Sequence, residues 1–198
     1  WSPRLTTTHL LYLHGFRSSP QSTKARQTAR WITAHRPGVR WCCPQLPPSP
    51  RAAMALIEDA VTGWPRDSMA VIGSSLGGWY ATTVAERHGC RAVLLNPAVD
   101  PARDLARHLG TTTPWHGGDP FEFRPEYVDE LRAIRVPAPT APARYFVIVA
   151  KGDEVLDWRE MAQRYEGCRI KLLEGGDHAL SDYEARHLPD IMRFLGLA

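Results

Sequence analysis

The stretch Gly73-Ser74-Ser75-Leu76-Gly77-Gly78 contains the spacing Gly-x-Ser-x-Gly, the pattern of a nucleophile elbow. At such a turn the serine sits in a strained backbone conformation on the path from a strand into a helix. Side chains at Gly73 and Gly77 would collide with the neighbouring strand or helix. Composition alone produces the pattern in roughly one chain in fifteen of this length, so its flanks decide its weight. Val71-Ile72 ends a strand-like run and Leu76 opens a helix-like one. Ser74 is the rival serine, but it lies out of frame with the two glycines, and its hydroxyl is expected to bond locally.

Serine is a poor nucleophile near neutral pH and needs a base within hydrogen-bond reach, itself held by a third group. His178 follows the strand-like run 169–173 through Glu174-Gly175-Gly176-Asp177, and Asp153 follows the run 144–150 through Lys151-Gly152. The chain order is therefore Ser75, Asp153, His178. Among the competing histidines, His35, His88, His108 and His187 lie on helical segments and read as surface or packing residues, while His9 starts a strand. His116 lies in a proline-rich stretch, where it could touch a substrate but reads as a solvated loop residue. Asp157 competes with Asp153, yet its place before a helical run suits it to cap free helix N–H groups.

An acyl-transfer site also needs donors for the oxyanion. One is the backbone N–H of Leu76, at the positive end of its helix. The loop after the first strand, Leu13-His14-Gly15-Phe16, offers a second through the Phe16 N–H, with His14 bracing the loop.

These groups can meet only if the elements between them are arranged suitably. Apolar β-branched runs near 8–13, 39–43, 69–73, 91–95, 144–150 and 169–173 alternate with amphipathic runs near 21–35, 51–63, 76–88, 157–166 and 183–196. That alternation predicts an α/β fold with a mostly parallel sheet. The carboxyl ends of parallel strands share one edge, so loops after the third, fifth and sixth runs can converge. Ser18-Ser19-Pro20 starts the first helix and Pro37-Gly38 stops it, while Pro189 makes the last helix start late or break. The stretch 96–143, with eight prolines and only two short helical patterns near 101–109 and 126–134, reads as a lid or cap insertion into a single domain spanning 1–198. An inert surface insertion is the alternative.

Composition narrows the class further. A chain of 198 residues, 43% apolar and 23% charged, can bury a self-sufficient core. The net charge of +3 is spread singly, without the basic runs that grip nucleic acid, and the sparse lysines (Lys24, Lys151, Lys171) reflect genome composition. Cys42, Cys43, Cys90 and Cys168 show neither metal-site nor disulfide spacing, and Cys42-Cys43 read as small apolar residues on a buried strand. A reducing cytosol fits. The run Leu10 to Leu13 is too short for a membrane span or signal core, and the start at Trp1 leaves room for sequence upstream.

The chain resembles the YqiA/YcfP family of small bacterial α/β-hydrolase esterases, and its YqiA-like branch in particular. The resemblance covers nearly the whole chain. It rests on Leu11-Tyr12-Leu13-His14-Gly15-Phe16 with Ser18-Ser19-Pro20, on Gly73 to Gly78, on Leu95-Asn96-Pro97-Ala98-Val99, on Gly152-Asp153-Glu154-Val155-Leu156-Asp157 and on Gly175-Gly176-Asp177-His178-Ala179. It implies a cytoplasmic serine esterase or thioesterase acting on small acyl esters, acyl-CoA among them, without cofactor or metal. It also implies Ser75, Asp153 and His178 as the catalytic residues. The chain departs from the family at Asp177, where relatives often carry Asn, and around Trp115-His116-Gly117-Gly118. A peptidase or carbon–carbon bond hydrolase with the same triad, and an idle hydrolase-like binding protein, remain the other readings.

Overall fold

The computed structural model describes residues 6–198, so Trp1 lies outside the described residues. The elements run β1 (His9–Leu13), α1 (Thr23–His35), β2 (Arg40–Cys42), α2 (Pro50–Ala60), β3 (Met69–Ser74), α3 (Leu76–His88) and β4 (Arg91–Leu95). The 96–143 stretch then contributes α4 (Pro101–Leu105), a 3₁₀ turn at Ala106–His108, β5 (Gly110–Thr112), β6 (Phe121–Phe123) and α5 (Pro125–Ala133). β7 (Tyr145–Ala150), α6 (Trp158–Arg164), β8 (Arg169–Leu173), a π-helical turn at Tyr183–His187 and α7 (Leu188–Phe194) complete the fold.

Six strands form one parallel sheet in the order β2-β1-β3-β4-β7-β8. This is the α/β-hydrolase fold. The inner strands β3 and β7 are buried at every position, as a sheet covered on both faces requires. Alternate residues serve opposite cores. Leu11, Leu13, Val71, Leu94 and Val147 pack towards α2, α3 and α5, whereas Leu10, Tyr12, Ile72, Val93 and Phe146 pack towards α1 and α7.

The direction of winding reverses between β1 and β3, so the chain leaves their carboxyl ends towards opposite faces and opens a crevice. Ser49 and Asp157 cap α2 and α6 through their side chains, and Pro50 and Pro125 occupy first turns.

Three expectations need correction. β2 is an edge strand, so Cys42 and the adjacent Cys43 are only half-buried rather than lodged in a buried strand. The second helix spans Pro50–Ala60, not 51–63, and the first is shorter at its start than 21–35. The last helical segment is broken as Pro189 predicts, into the π turn and α7, with Pro189 in the first turn of α7. The insertion also contains the antiparallel hairpin β5–β6, which three-residue strands without alternation did not reveal.

Candidate active site

Ser75 stands between β3 and α3 with φ 56° and ψ −117°, a conformation seldom adopted by a residue with a Cβ. Its amide donates to the Leu95 carbonyl, and its carbonyl accepts from the amides of Gly78 and Ala98, so the turn is locked to β4. The glycines are sterically necessary. A Cβ on Gly73 would lie 2.2 Å from the Gly77 carbonyl oxygen, and one on Gly77 would lie 2.0 Å from that of Leu13. Helix α3 therefore packs against β1 and β3 more closely than any other residue would permit. Ser74 is mostly buried, on the strand side of the turn.

The side chain of Asp153 is fully buried in the loop after β7. Its Oδ1 accepts from the amides of Val155 and Leu156, both at 2.8 Å, and its Oδ2 lies 2.7 Å from His178 Nδ1. The opposite ring nitrogen of His178, Nε2, lies 3.1 Å from Ser75 Oγ. Because an ionised carboxylate can only accept, Nδ1 carries the proton, and Nε2 is left with a lone pair for the Ser75 hydroxyl. The structure thus brings Ser75, His178 and Asp153 into one hydrogen-bonded line. Asp157 is elsewhere: its Oδ1 accepts from the Arg159 amide and caps α6.

The loop after β1 lies against this line, since a Cβ on Gly15 would sit 3.3 Å from that of Ser75. His14 is buried in it. The Leu46 amide donates to its Nε2 at 2.9 Å, so its Nδ1 donates to the Gly15 carbonyl at 2.8 Å, and burial lowers its pKa. Leu76 is the first residue of α3, where an amide has no acceptor within its own helix. The Phe16 ring packs edge-on against Phe121 and Phe123 of β6, tying its loop to the insertion.

A cavity of about 600 Å³ opens over Ser75 and His178 and is lined also by Phe16, Leu76, Trp115 and His116. His108, read from sequence as a surface or packing residue, lines it too, 6.0 Å from the Phe16 ring. Arg17 and Trp115 join the β1 loop to the hairpin connection. The Arg17 guanidinium lies 3.6 Å over the indole and donates to the Thr113 carbonyl, while the Trp115 amide donates to the Arg17 carbonyl.

Three contributors carried no signal of their own in the sequence. Asn96, at the end of β4, donates to the carbonyls of Asp177 and His178; Lys24 Nζ, on α1, donates to that of Ala179; and Glu154 Oε2 accepts from the His178 amide. Asn96 and Glu154 lie in motifs that carry the resemblance, so they were visible as residues but not as contacts. Lys24 belongs to no motif. Asp177 accepts from the Ser181 amide and hydroxyl, which holds its carboxyl below its usual range.

Three solved structures show the same fold at low identity. A putative hydrolase from Agrobacterium vitis S4 is 16% identical with a TM-score of 0.74, covering 96% of this chain and 90% of that one. Est1E from Butyrivibrio proteoclasticus is 14% identical with a TM-score of 0.72, over 98% and 88%. A structure from the metagenome-derived lipolytic enzymes LipS and LipT is 18% identical with a TM-score of 0.69, over 98% of both chains. The family profile is a separate finding and covers β1 through the end of α7, with every motif described above inside it. With residues 9–196 matched, the chain belongs to the family described as uncharacterised protein family UPF0227, the YqiA/YcfP family that its motifs resemble.

Proposed function

We propose that the protein is a serine hydrolase that cleaves acyl esters and thioesters, acyl-CoA among the candidate thioesters, through an acyl-enzyme on Ser75. The observation that carries this reading is the line from Ser75 Oγ through the His178 imidazole to Asp153 Oδ2, with separations of 3.1 and 2.7 Å. His178 Nε2 takes the hydroxyl proton as Ser75 attacks the acyl carbonyl. Asp153 holds the ring in the required tautomer and stabilises the imidazolium that forms. The amides of Leu76 and Phe16 receive the oxyanion, each worth about 10²- to 10³-fold in rate. His178 then returns the proton to the leaving alcohol or thiol, and water releases the acid by the same route.

The residues of 96–143 act as a cap in this reading, supported by Leu105, Trp115 and His116 in the cavity wall. No helix of the described residues is long and apolar enough to cross a membrane. The four cysteines are free thiols, which supports a reducing cytoplasmic compartment. The substrate class is a small acyl ester or thioester, without nucleic acid and without cofactor.

Ser75→Ala should abolish turnover of short p-nitrophenyl esters and prevent labelling by a fluorophosphonate probe. Turnover that survives in pure Ser75→Ala protein would refute the assignment. A folded wild-type protein that neither labels nor turns over an ester panel would favour the idle binding protein.

A further inference from the structure

The sheet order imposes a problem on this site. His178 follows β8, which stands three strands away from β3 and Ser75, on the order of 14 Å at about 4.8 Å per strand. The loop carrying the imidazole must therefore reach back over β7 and β4. Its conformation is local and polar, so something beneath it has to hold its backbone in place.

β4 lies between β3 and β7, and Asn96 directly follows its last residue, Leu95. Asn96 is fully buried with φ 41°, in the left-handed region that asparagine tolerates better than most residues. Its amide nitrogen donates to the carbonyls of Asp177 and His178, each at 3.1 Å. Its Oδ1 accepts from the Ala150 amide at 2.9 Å, at the end of β7, from which the Asp153 loop departs. Its own backbone amide donates to Ile148. One side chain thus ties the imidazole loop to the carboxylate loop, on the strand to which the Ser75 turn is also bonded. Lys24 Nζ holds the next carbonyl, Ala179, at 2.8 Å, and Glu154 accepts the His178 amide at 3.0 Å.

We propose that Asn96 is a positioning residue for the Ser75–His178 pair, with Lys24 bracing the same loop from α1. This rests on the hydrolase reading above, because it assigns Asn96 the task of setting the geometry of that proton transfer. Each of the two amide N–H groups of Asn96 has a carbonyl acceptor on the loop, so its removal releases the loop and leaves two partly buried carbonyls without that donor. A displacement of about 1 Å at the reacting atoms costs on the order of a hundredfold in rate.

The test compares two variants that tolerate the left-handed backbone. Asn96→Asp keeps the acceptor for Ala150 but loses both donors, and Asn96→Gly removes the side chain without adding charge. With p-nitrophenyl acetate, kcat should fall about tenfold to a hundredfold in both, with KM within about twofold of wild type. Fluorophosphonate labelling of Ser75 should slow in parallel. A core variant, Ile57→Val, serves as the control for lost stability, because Ile57 is buried on α2 away from the cavity. Wild-type kcat in either folded Asn96 variant would overturn the proposal, as would a kcat loss that Ile57→Val reproduces at a matched fall in Tm. If neither Asn96 variant folds, Lys24→Met decides: reduced kcat at unchanged KM supports the brace, and unchanged kcat overturns it. Survival of turnover in Ser75→Ala would bring down the hydrolase reading itself. With Ser75→Ala inert and Asn96→Asp fully active, only the positioning role falls.

Discussion

The two oxygens of Asp153 have separate partners: Oδ1 takes two backbone amides and Oδ2 faces His178. That division aims the carboxylate, because rotation to serve the amides with both oxygens would abandon the imidazole. Asp157, four residues on, accepts from the Arg159 amide at the start of a helix. The two aspartates should therefore respond differently to the same substitution. Asp153→Asn offers His178 an N–H or a weaker acceptor and should lower kcat by about 10⁴-fold, the size of a lost tautomer preference. Asp157→Asn should leave kcat near wild type and stability within a few tenths of a kcal/mol, since asparagine caps helices about as well. Steady-state kinetics with urea melts on both proteins checks the pair, and equal kcat losses would make the assignment wrong.

Among the elements, the connection between β5 and β6 brings Trp115 and His116 to the cavity wall. Trp115 is 64% exposed, an unusual position for an indole, yet it lines the cavity and stacks under Arg17. Arg17 directly follows Phe16, whose amide is a proposed oxyanion donor. Truncation at Trp115 thus removes apolar wall and loosens the Arg17 clamp together. Trp115→Ala should raise KM for longer acyl esters by roughly three- to tenfold, equivalent to about 1 kcal/mol of lost contact. A smaller effect is expected on acetyl esters. Unchanged KM across a series of acyl lengths would exclude the indole from the substrate wall. The hairpin escaped sequence reading because short strands joined through Thr113-Pro114-Trp115-His116-Gly117-Gly118 lack a period-two pattern long enough to register.

At the scale of the whole molecule, the sheet is buried on both faces and the helices α1 and α7 close one of them. Lys24, on α1, is half-buried at the wall of the cavity. Burial lowers its pKa to about 8, although the charges of Asp177 and Asp153 act in the opposite direction. Below pH 8 both folded and unfolded chains hold the proton, and the burial cost is present in full. Between about pH 8 and the ordinary lysine value the unfolded chain binds more protons, so this group makes stability rise with pH. Other groups titrate there too, so Lys24→Met is the reference. The wild type should gain on Lys24→Met by on the order of 2 kcal/mol between pH 7 and pH 10.5, at about 1.4 kcal/mol per unit of displaced pKa. A difference in unfolding free energy that stays flat over this range would contradict the lowered pKa of Lys24.

Strand and helix order, the elbow and the polar residues in the turns after β3, β7 and β8 were legible from residue types alone. Each is a local property, set by side-chain period, by turn chemistry or by the steric demand met at Gly73 and Gly77. The contacts that tie those turns together were not. Asn96 meets Asp177 and His178, and Lys24 meets Ala179, across more than 80 and 150 positions of chain. Such partners are chosen by which strands become neighbours, and nothing in the local pattern of β4 or α1 records that choice. The half-burial of Cys42 has the same origin, since a short apolar strand reads alike at the centre and the edge of a sheet, and only the pairing order β2-β1-β3-β4-β7-β8 separates the two.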